Sequence, residues 1–245
     1  YTMKIIKLDA IDSTNTYLRQ LGLEEKLEDF TIVTAASQTA GKGQMGTKWS
    51  SEKGKNLTFS VFKKVFCLEN DEQFYISMAT SLAIYKALKH FQIPKLAIKW
   101  PNDILSENEK ICGILIESVI QNSKMTAAII GIGLNVNQTD FEVNLNATSL
   151  KKITGIHLDL DEVMFYIAEQ LKKYSILITE RSFTELKLEY ESLLFRKDKP
   201  STFKNTNGDL FMGFIQGVAD DGKLNVLLED EIMIAFDLKE IKLMY

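Results

Sequence analysis

Residues 41–46 read G-K-G-Q-M-G, just after an apolar, β-branched run from Phe30 to Ala36, and no helix can start behind them. This pairing restricts the fold more than any other feature of the chain. A G-x-G-x-x-G turn binds a dinucleotide when its last glycine opens a helix, because the pyrophosphate rests on that helix's N-terminus. Here Gly46 is followed by T-K-W-S-S-E-K-G-K-N, which has one large apolar residue, another glycine and no helical period. The next strand pattern, N-L-T-F-S-V-F-K-K, follows at once, whereas a crossover between parallel strands needs roughly a dozen residues or more. A P-loop is excluded too. Gly41 and Gly46 are correctly spaced, but Thr47 precedes Lys48 instead of following it.

The other segments agree that strands mostly succeed one another through turns. M-K-I-I-K-L is a strand candidate. A helix starts at Ser13 or Thr14 as N-cap, shows Tyr17, Leu18 and Leu21 on one face, and is expected to stop at Gly22. Ser37 to Lys55 reads as a long loop. Leu57, Phe59 and Val61 alternate with Thr58 and Ser60, which predicts a strand. Phe74 to Phe91 has helical spacing. L-A-I-K-W, a W-P-N-D turn and two long apolar runs joined by Q-N-S-K predict a strand, a turn and a hairpin. Asp161 to Leu194 is helical with a break near Arg181–Ser182. From Lys197 the pattern becomes short strands with turns at N-T-N-G and A-D-D-G-K, the size of a small β-barrel. The expected class is α+β, a mixed sheet packed with helices plus a small C-terminal β-barrel. The division runs 1–196 and 197–245.

A length of 245 residues with 45% hydrophobic and 25% charged residues suits one main domain with an appendage and a core that needs no staple. Two cysteines, Cys67 and Cys112, point to a reducing, cytoplasmic setting. No leader pattern or transmembrane-length run stands out, so a membrane is not an expected partner. A net charge of −4 argues against general nucleic-acid binding. Against that acidic balance, Lys42, Lys48, Lys53 and Lys55 face only Glu52 within the glycine loop. Glycines admit backbone N–H groups close to an anion and lysines neutralise it. A solvated mobile loop is the competing reading.

Four further stretches narrow the choice. They are D-S-T-N-T at Asp12 to Thr16, A-S-Q-T-A-G-K-G at Ala36 to Gly43, K-W-P-N-D at Lys99 to Asp103 with K-I-C-G-I-L-I-E at Lys110 to Glu117, and G-I-G-L-N-V at Gly131 to Val136. In this order and spacing the chain resembles the biotin protein ligase family, over roughly Asp12 to Leu150. The resemblance implies a catalytic domain like that of class II aminoacyl-tRNA synthetases and an SH3-like C-terminal barrel. It also implies a two-step reaction: biotin and Mg-ATP form biotinyl-5′-adenylate, and the acyl group passes to a lysine of a biotin carboxyl carrier protein. The implied form has no N-terminal DNA-binding domain and is a monomer or homodimer.

Carried over position by position, the resemblance implies biotin contacts from Ser13, Thr14, Asn15, Gln38, Gly41, Lys42, Gly43, Gln44, Lys110, Gly113 and Gly133. ATP contacts fall to Lys42, Gln44, Lys48, Trp49, Asn102, Lys110 and Asn135, with Trp49 stacking on adenine and Asn135 reading its edge. Lys110, Lys42 and Asp103 take the catalytic roles, and Asp103 the Mg²⁺. Lys42 and Gln44 stand where the family often has arginines, so the charge lost at Gln44 falls to Lys48 or Lys53. Residues 138–150, with Phe141 and Leu145, occupy the place of an adenosine-covering loop. Other readings exist for single residues: Ser13 as a cap only, Lys110 as a solvated hairpin lysine, Asn135 as a strand-end turn, and Gly131 with Gly133 as a β-bulge. Glu117 is read as structural and Cys112 as a small core residue. His90 and His157 are isolated. Two functional alternatives stand beside biotin ligation: a lipoate or octanoate ligase or transferase, and a non-catalytic biotin-binding paralogue.

Overall fold

The computed structural model describes residues 3–65, 68–122, 124–142 and 145–245; Cys67 lies outside them. Seven strands form one mixed sheet. They are β1 (Ile5–Ile11), β2 (Thr31–Gln38), β3 (Leu57–Lys64), β4 (Leu96–Lys99), β5 (Asp103–Ser106), β6 (Glu109–Gln121) and β7 (Lys124–Leu134). Their order across the sheet is β1-β2-β3-β7-β6-β5-β4. Only β1 and β2 run parallel, joined by α1 (Thr14–Glu24); every other neighbour is antiparallel. The glycine loop therefore follows the single crossover unit and leads to an antiparallel neighbour, as the missing helix requires.

The two sheet faces are covered unequally. Phe59, Val61, Ile114, Ile130 and Ile132 point into the large core shared with α2 (Phe74–His90), α4 (Leu160–Thr179) and α5 (Phe183–Ser192). Helix α2 is apolar almost all round because it is packed between the sheet and α4. The opposite face carries Val33 and Ile129, which meet Leu18 of α1 and Leu27 in a smaller cluster. That helix covers only part of its face. Thr58 and Ser60, the polar half of the β3 alternation, are consequently buried and not solvent-facing.

Three elements of this part of the chain depart from the sequence reading. Helix α1 runs past Gly22 to Glu24; Gly22 lies inside it, where an added Cβ would stand 3.4 Å from Leu27 Cδ1. Strand β5 is too short to show a period and exists because β4 and β6 both pair with it. A one-turn helix, α3 (Leu150–Thr154), is capped by the Ser149 hydroxyl and ends at Gly155 with φ +75°. Helices α4 and α5 separate at the expected place, where Arg181 takes a positive φ.

The C-terminal segment forms a second, five-stranded antiparallel sheet. Its strands are β8 (Pro200–Asn205), β9 (Leu210–Val218), β10 (Leu224–Leu228), β11 (Met233–Phe236) and β12 (Ile241–Met244), in the order β11-β10-β9-β8-β12. Strand β12 was not anticipated. Phe203, Ile215 and Val226 join the large core. Polar contacts fix the same junction: Trp100 Nε1 donates to Gly222 O at 2.8 Å, Tyr75 Oη to Asp220 at 3.0 Å, and Val218 N to Glu191 at 2.8 Å. Among the described residues, no helix is long and apolar enough to cross a membrane.

Gly222 has φ +89°, and a Cβ there would lie 2.5 Å from Phe74 Cγ. Gly208 has φ +92° at an open hairpin tip, with its nearest neighbour 3.7 Å away. Both positions disfavour a side chain, but only Gly222 also meets a packed ring. Gly222→Ala is expected to cost about 1–3 kcal/mol, lowering Tm by several degrees more than Gly208→Ala does. Equal losses in two thermal melts would show that the Phe74 contact contributes nothing.

Candidate active site

The uncovered part of the α1 face holds a cavity of about 290 Å³. Its floor exists because three glycines align. Gly113 pairs with Gly133 across the β6–β7 register, and Gly131 sits opposite Leu115 and Ser60. The register is unbroken there; the β6–β7 irregularity lies at Val119/Ile120, so the glycine pair is not a bulge. The space a side chain would take is used by others. A Cβ on Gly131 would fall 2.5 Å from Asn15 Oδ1, and one on Gly133 2.4 Å from Trp49 Cε2.

The first wall is the N-terminus of α1. Ser13 is the N-cap, yet its side chain caps nothing. Gln38, at the end of β2, does that work: its Oε1 accepts from Thr14 N at 2.8 Å. Thr14 and Asn15 point inward and are buried.

The second wall is cationic. The W-P-N-D turn, with a cis Trp100–Pro101 peptide, is tied to β6 through Asn102 Nδ2, which donates to Ile114 O at 2.7 Å. This places Asp103 Oδ1 2.7 Å from Lys110 Nζ, a charge pair without an aligned hydrogen bond, and Asp103 Oδ2 3.8 Å from Lys99 Nζ. Burial pulls the Lys99 pKa below the usual lysine range; Asp103 opposes this and Lys110 adds to it. The lining contributes Lys42, Lys48 and Lys110 against the single carboxylate of Asp103. The cavity therefore favours an anion.

The glycine loop closes over the top. Lys42 and Lys48 form a β-bridge, Trp49 N donates to Gly41 O at 3.0 Å, and Gly43 N to Thr47 O at 2.7 Å. Gly41 permits this closure, since a Cβ there would lie 2.4 Å from Trp49 O. The two arms deliver the Trp49 ring onto Gly133, with Lys110 Nζ 5.8 Å from the ring centroid. The Trp49 Nε1 hydrogen is buried without a partner, a donor left for something else in the cavity.

Of the residues singled out in the sequence, Ser13, Thr14, Asn15, Gln38, Lys42, Gly43, Gln44, Lys48, Trp49, Asn102, Asp103, Lys110, Gly113 and Gly133 line this one cavity. Gly41 stands behind it. Asn135 lies outside the lining: its Nδ2 donates to Thr148 O at 3.0 Å, and its carbonyl accepts from Leu150 N. It anchors the segment ending at residue 150, which also pairs with Lys110 through Ala147. Residues 143 and 144 of that segment lie outside the described residues. Lys48 lines the cavity, whereas Lys53 pairs with Asp9 at 2.7 Å and Lys55 pairs with Glu52. Cys112 is fully buried in the core, and burial pushes its thiol pKa well above the usual range. Thr58 and Leu238 line the cavity as well and were not foreseen. Leu238 follows β11, and no local pattern links that loop to the glycine sheet.

The model of the biotin/lipoate A/B protein ligase family matches residues 8–135. The bifunctional ligase/repressor BirA of Bacillus spizizenii is 32% identical over 232 residues, covering 93% of this chain and 70% of that one. The chain belongs to the biotin/lipoate A/B protein ligase family. The biotin–[acetyl-CoA-carboxylase] ligase of Paracoccus denitrificans is 28% identical over 224 residues, covering 89% of this chain and 91% of that one. Among solved structures, the biotin protein ligase from Aquifex aeolicus in complex with biotin and ATP aligns with a TM-score of 0.81 and 26% identity, over 99% of both chains. The family match takes in α1, the glycine loop, K-W-P-N-D and both glycine strands, so it spans nearly the whole cavity lining; only Leu238 falls outside.

Gly133→Ala in this family member should push the Trp49 indole off the floor and shift tryptophan emission to longer wavelength. The shift should vanish in a Trp49→Phe background, where only Trp100 emits. An unchanged spectrum would mean that the ring does not rest on Gly133.

Proposed function

We propose that this chain is an ATP-dependent biotin protein ligase. It forms biotinyl-5′-adenylate from biotin and ATP with release of pyrophosphate, then transfers biotin to a specific lysine of a biotin carboxyl carrier protein. The observation that carries this reading is the meeting, in one cavity, of a buried polar wall from α1 and Gln38 with a three-lysine wall. The biotin/lipoate family membership names the chemistry for which such a pair of walls is suited. A bicyclic head with a polar ring fits a small pocket that has a few placed polar groups. A carboxylate brought to a triphosphate needs positive charge where negative charge gathers.

In the first step a biotin carboxylate oxygen attacks the α-phosphorus and the bond to pyrophosphate breaks. Lys110 and Lys42 stabilise the charge on the equatorial oxygens, and Lys48 takes up part of what Gln44 does not supply. Lys42 keeps charge without the bidentate fork of an arginine. Ser13, Thr14, Asn15 and Gln38 hold the ureido ring against the α1 wall. Trp49 offers its ring to adenine and Asn102 orients phosphate. Asn135 acts on the nucleotide through the segment it anchors. In the second step the carrier lysine amine attacks the acyl carbon, the amide forms, AMP leaves, and Asp103 accepts the amine proton.

Asp103 is the only carboxylate in the lining and is committed to two lysines, and no cluster of three metal-ligating side chains exists among the described residues. The residues do not build a resident metal site. Mg²⁺ then enters as the counter-ion of ATP, and no step here depends on a protein ligand to it. We read residues 1–196 as the catalytic domain, of class II aminoacyl-tRNA synthetase type. Residues 197–245 are the SH3-like appendage; inward-facing Phe203, Ile215 and Val226 support that reading.

Two measurements test these assignments. Pyrophosphate release should require both biotin and ATP and should not occur when lipoate replaces biotin; Lys110→Met should slow it about 10²–10³-fold. Asp103→Asn should slow transfer to the carrier lysine more than it slows adenylate formation. A transfer rate equal to wild type removes Asp103 from the second step.

A further inference from the structure

Behind the α1 wall, five polar side chains touch in series. Thr14 N and Oγ1 lie 2.8 and 3.1 Å from Gln38 Oε1. Thr14 Oγ1 lies 2.7 Å from Ser60 Oγ. Ser60 Oγ lies 2.6 Å from Asn15 Oδ1, and Asn15 Nδ2 donates to Glu117 Oε2 at 2.8 Å. Ser60 is fully buried and does not line the cavity, so water cannot complete its bonds. The other Glu117 oxygen faces Arg19 at 3.5 Å. Thr14, Asn15 and Gln38 line the cavity; Ser60 and Glu117 do not.

Counting protons gives the series a direction. The Glu117 carboxylate at 2.8 Å and, more distantly, the Leu115 carbonyl at 3.4 Å only accept, so the Asn15 amide must turn its NH₂ to them and its carbonyl to Ser60. The single Ser60 proton must then go to that carbonyl. The 2.7 Å contact between the two hydroxyls can only be closed by the Thr14 proton. Gln38 Oε1 is already served by Thr14 N. Thr14 therefore has no proton left for the cavity and presents only lone pairs. If Asn15 were reversed, Ser60 would donate to Thr14, and the Thr14 proton would be free to turn inward.

We propose that Glu117 is a positioning residue. Its carboxylate orients Asn15 and, through Ser60, commits the Thr14 proton to the protein, so that Thr14 meets the ligand as an acceptor for a ring N–H. Taking that N–H to be the biotin ureido group rests on the ligase reading above. Glu117, read as structural in the sequence, sets the donor–acceptor sense of a cavity it does not line.

The test is biotin and ATP binding, each measured alone by calorimetry, on wild type and on Glu117→Met, Glu117→Gln, Ser60→Ala and the Ser60→Ala/Glu117→Met pair. Glu117→Met should raise the biotin Kd about tenfold, the scale of one misdirected buried hydrogen bond. Glu117→Gln should stay within about threefold of wild type, because its amide oxygen still accepts from Asn15. ATP affinity should hold within about twofold in all of them. The double variant should be no weaker than the weaker single one, since both cut one series. Biotin affinity untouched by Glu117→Met overturns the proposal. So does a Gln variant as weak as Met, an additive double variant, or a matching loss of ATP affinity. A wild-type chain that fails to bind biotin defeats the ligase reading; these outcomes in a biotin-binding wild type defeat only the relay.

Discussion

The cavity depends on a cross-strand register that puts Gly113 against Gly133 and Gly131 beside them. A two-residue glycine spacing on β7 leaves one patch of the sheet without side chains on the face that α1 only half covers. Into that patch come the Asn15 amide, the Trp49 ring and the Lys110 stem, each within contact distance of where a Cβ would stand. Slipping the hairpin by one residue would turn the glycines to the α2 face and fill the patch with isoleucine. Helix cap, loop and lysine would then have nowhere to converge.

The charge arrangement is built on that floor. Asp103 is aimed by a turn pinned to β6 and sits between Lys99 and Lys110. It keeps two ammonium groups together in a partly buried place where they would otherwise repel. The C-terminal sheet takes part in this geometry. Gly222 O receives the indole N–H of Trp100, inside K-W-P-N-D, and Leu238 reaches the cavity itself. A small all-β segment at the end of the chain thus braces the turn that carries the acidic residue.

Much of the lining was legible because motif residues are local. D-S-T-N, K-G-Q, K-W-P-N-D and K-x-x-G each place their side chains within a few residues of one strand end. The long helices and the β6–β7 hairpin were legible because their apolar periods extend over many residues. What stayed hidden lacked length or locality. Strand β5 has four residues and no period of its own. Gly22 looked like a stop, although one glycine inside a helix costs only about 1 kcal/mol, and Leu18, with Tyr17 and Leu21, packs the helix into the smaller cluster. Asn135 sits in a motif beside the cavity, yet its amide is spent on the backbone of Thr148.

By itself the sequence excluded a dinucleotide fold, through the missing helix after Gly46, and identified which residue types could handle a carboxylate and a polyphosphate. Those are local matters, decided by φ/ψ preference, spacing and charge. Tertiary structure alone decided that Gln38 and not Ser13 caps α1, that Lys48 and not Lys53 enters the cavity, and that Glu117 stands at the head of a proton-ordered series. Each depends on contacts between residues far apart in the chain, such as Thr14 with Gln38 or Asn15 with Glu117. The direction of a buried hydrogen bond follows from all the partners around it, and those partners become neighbours only when the sheet closes.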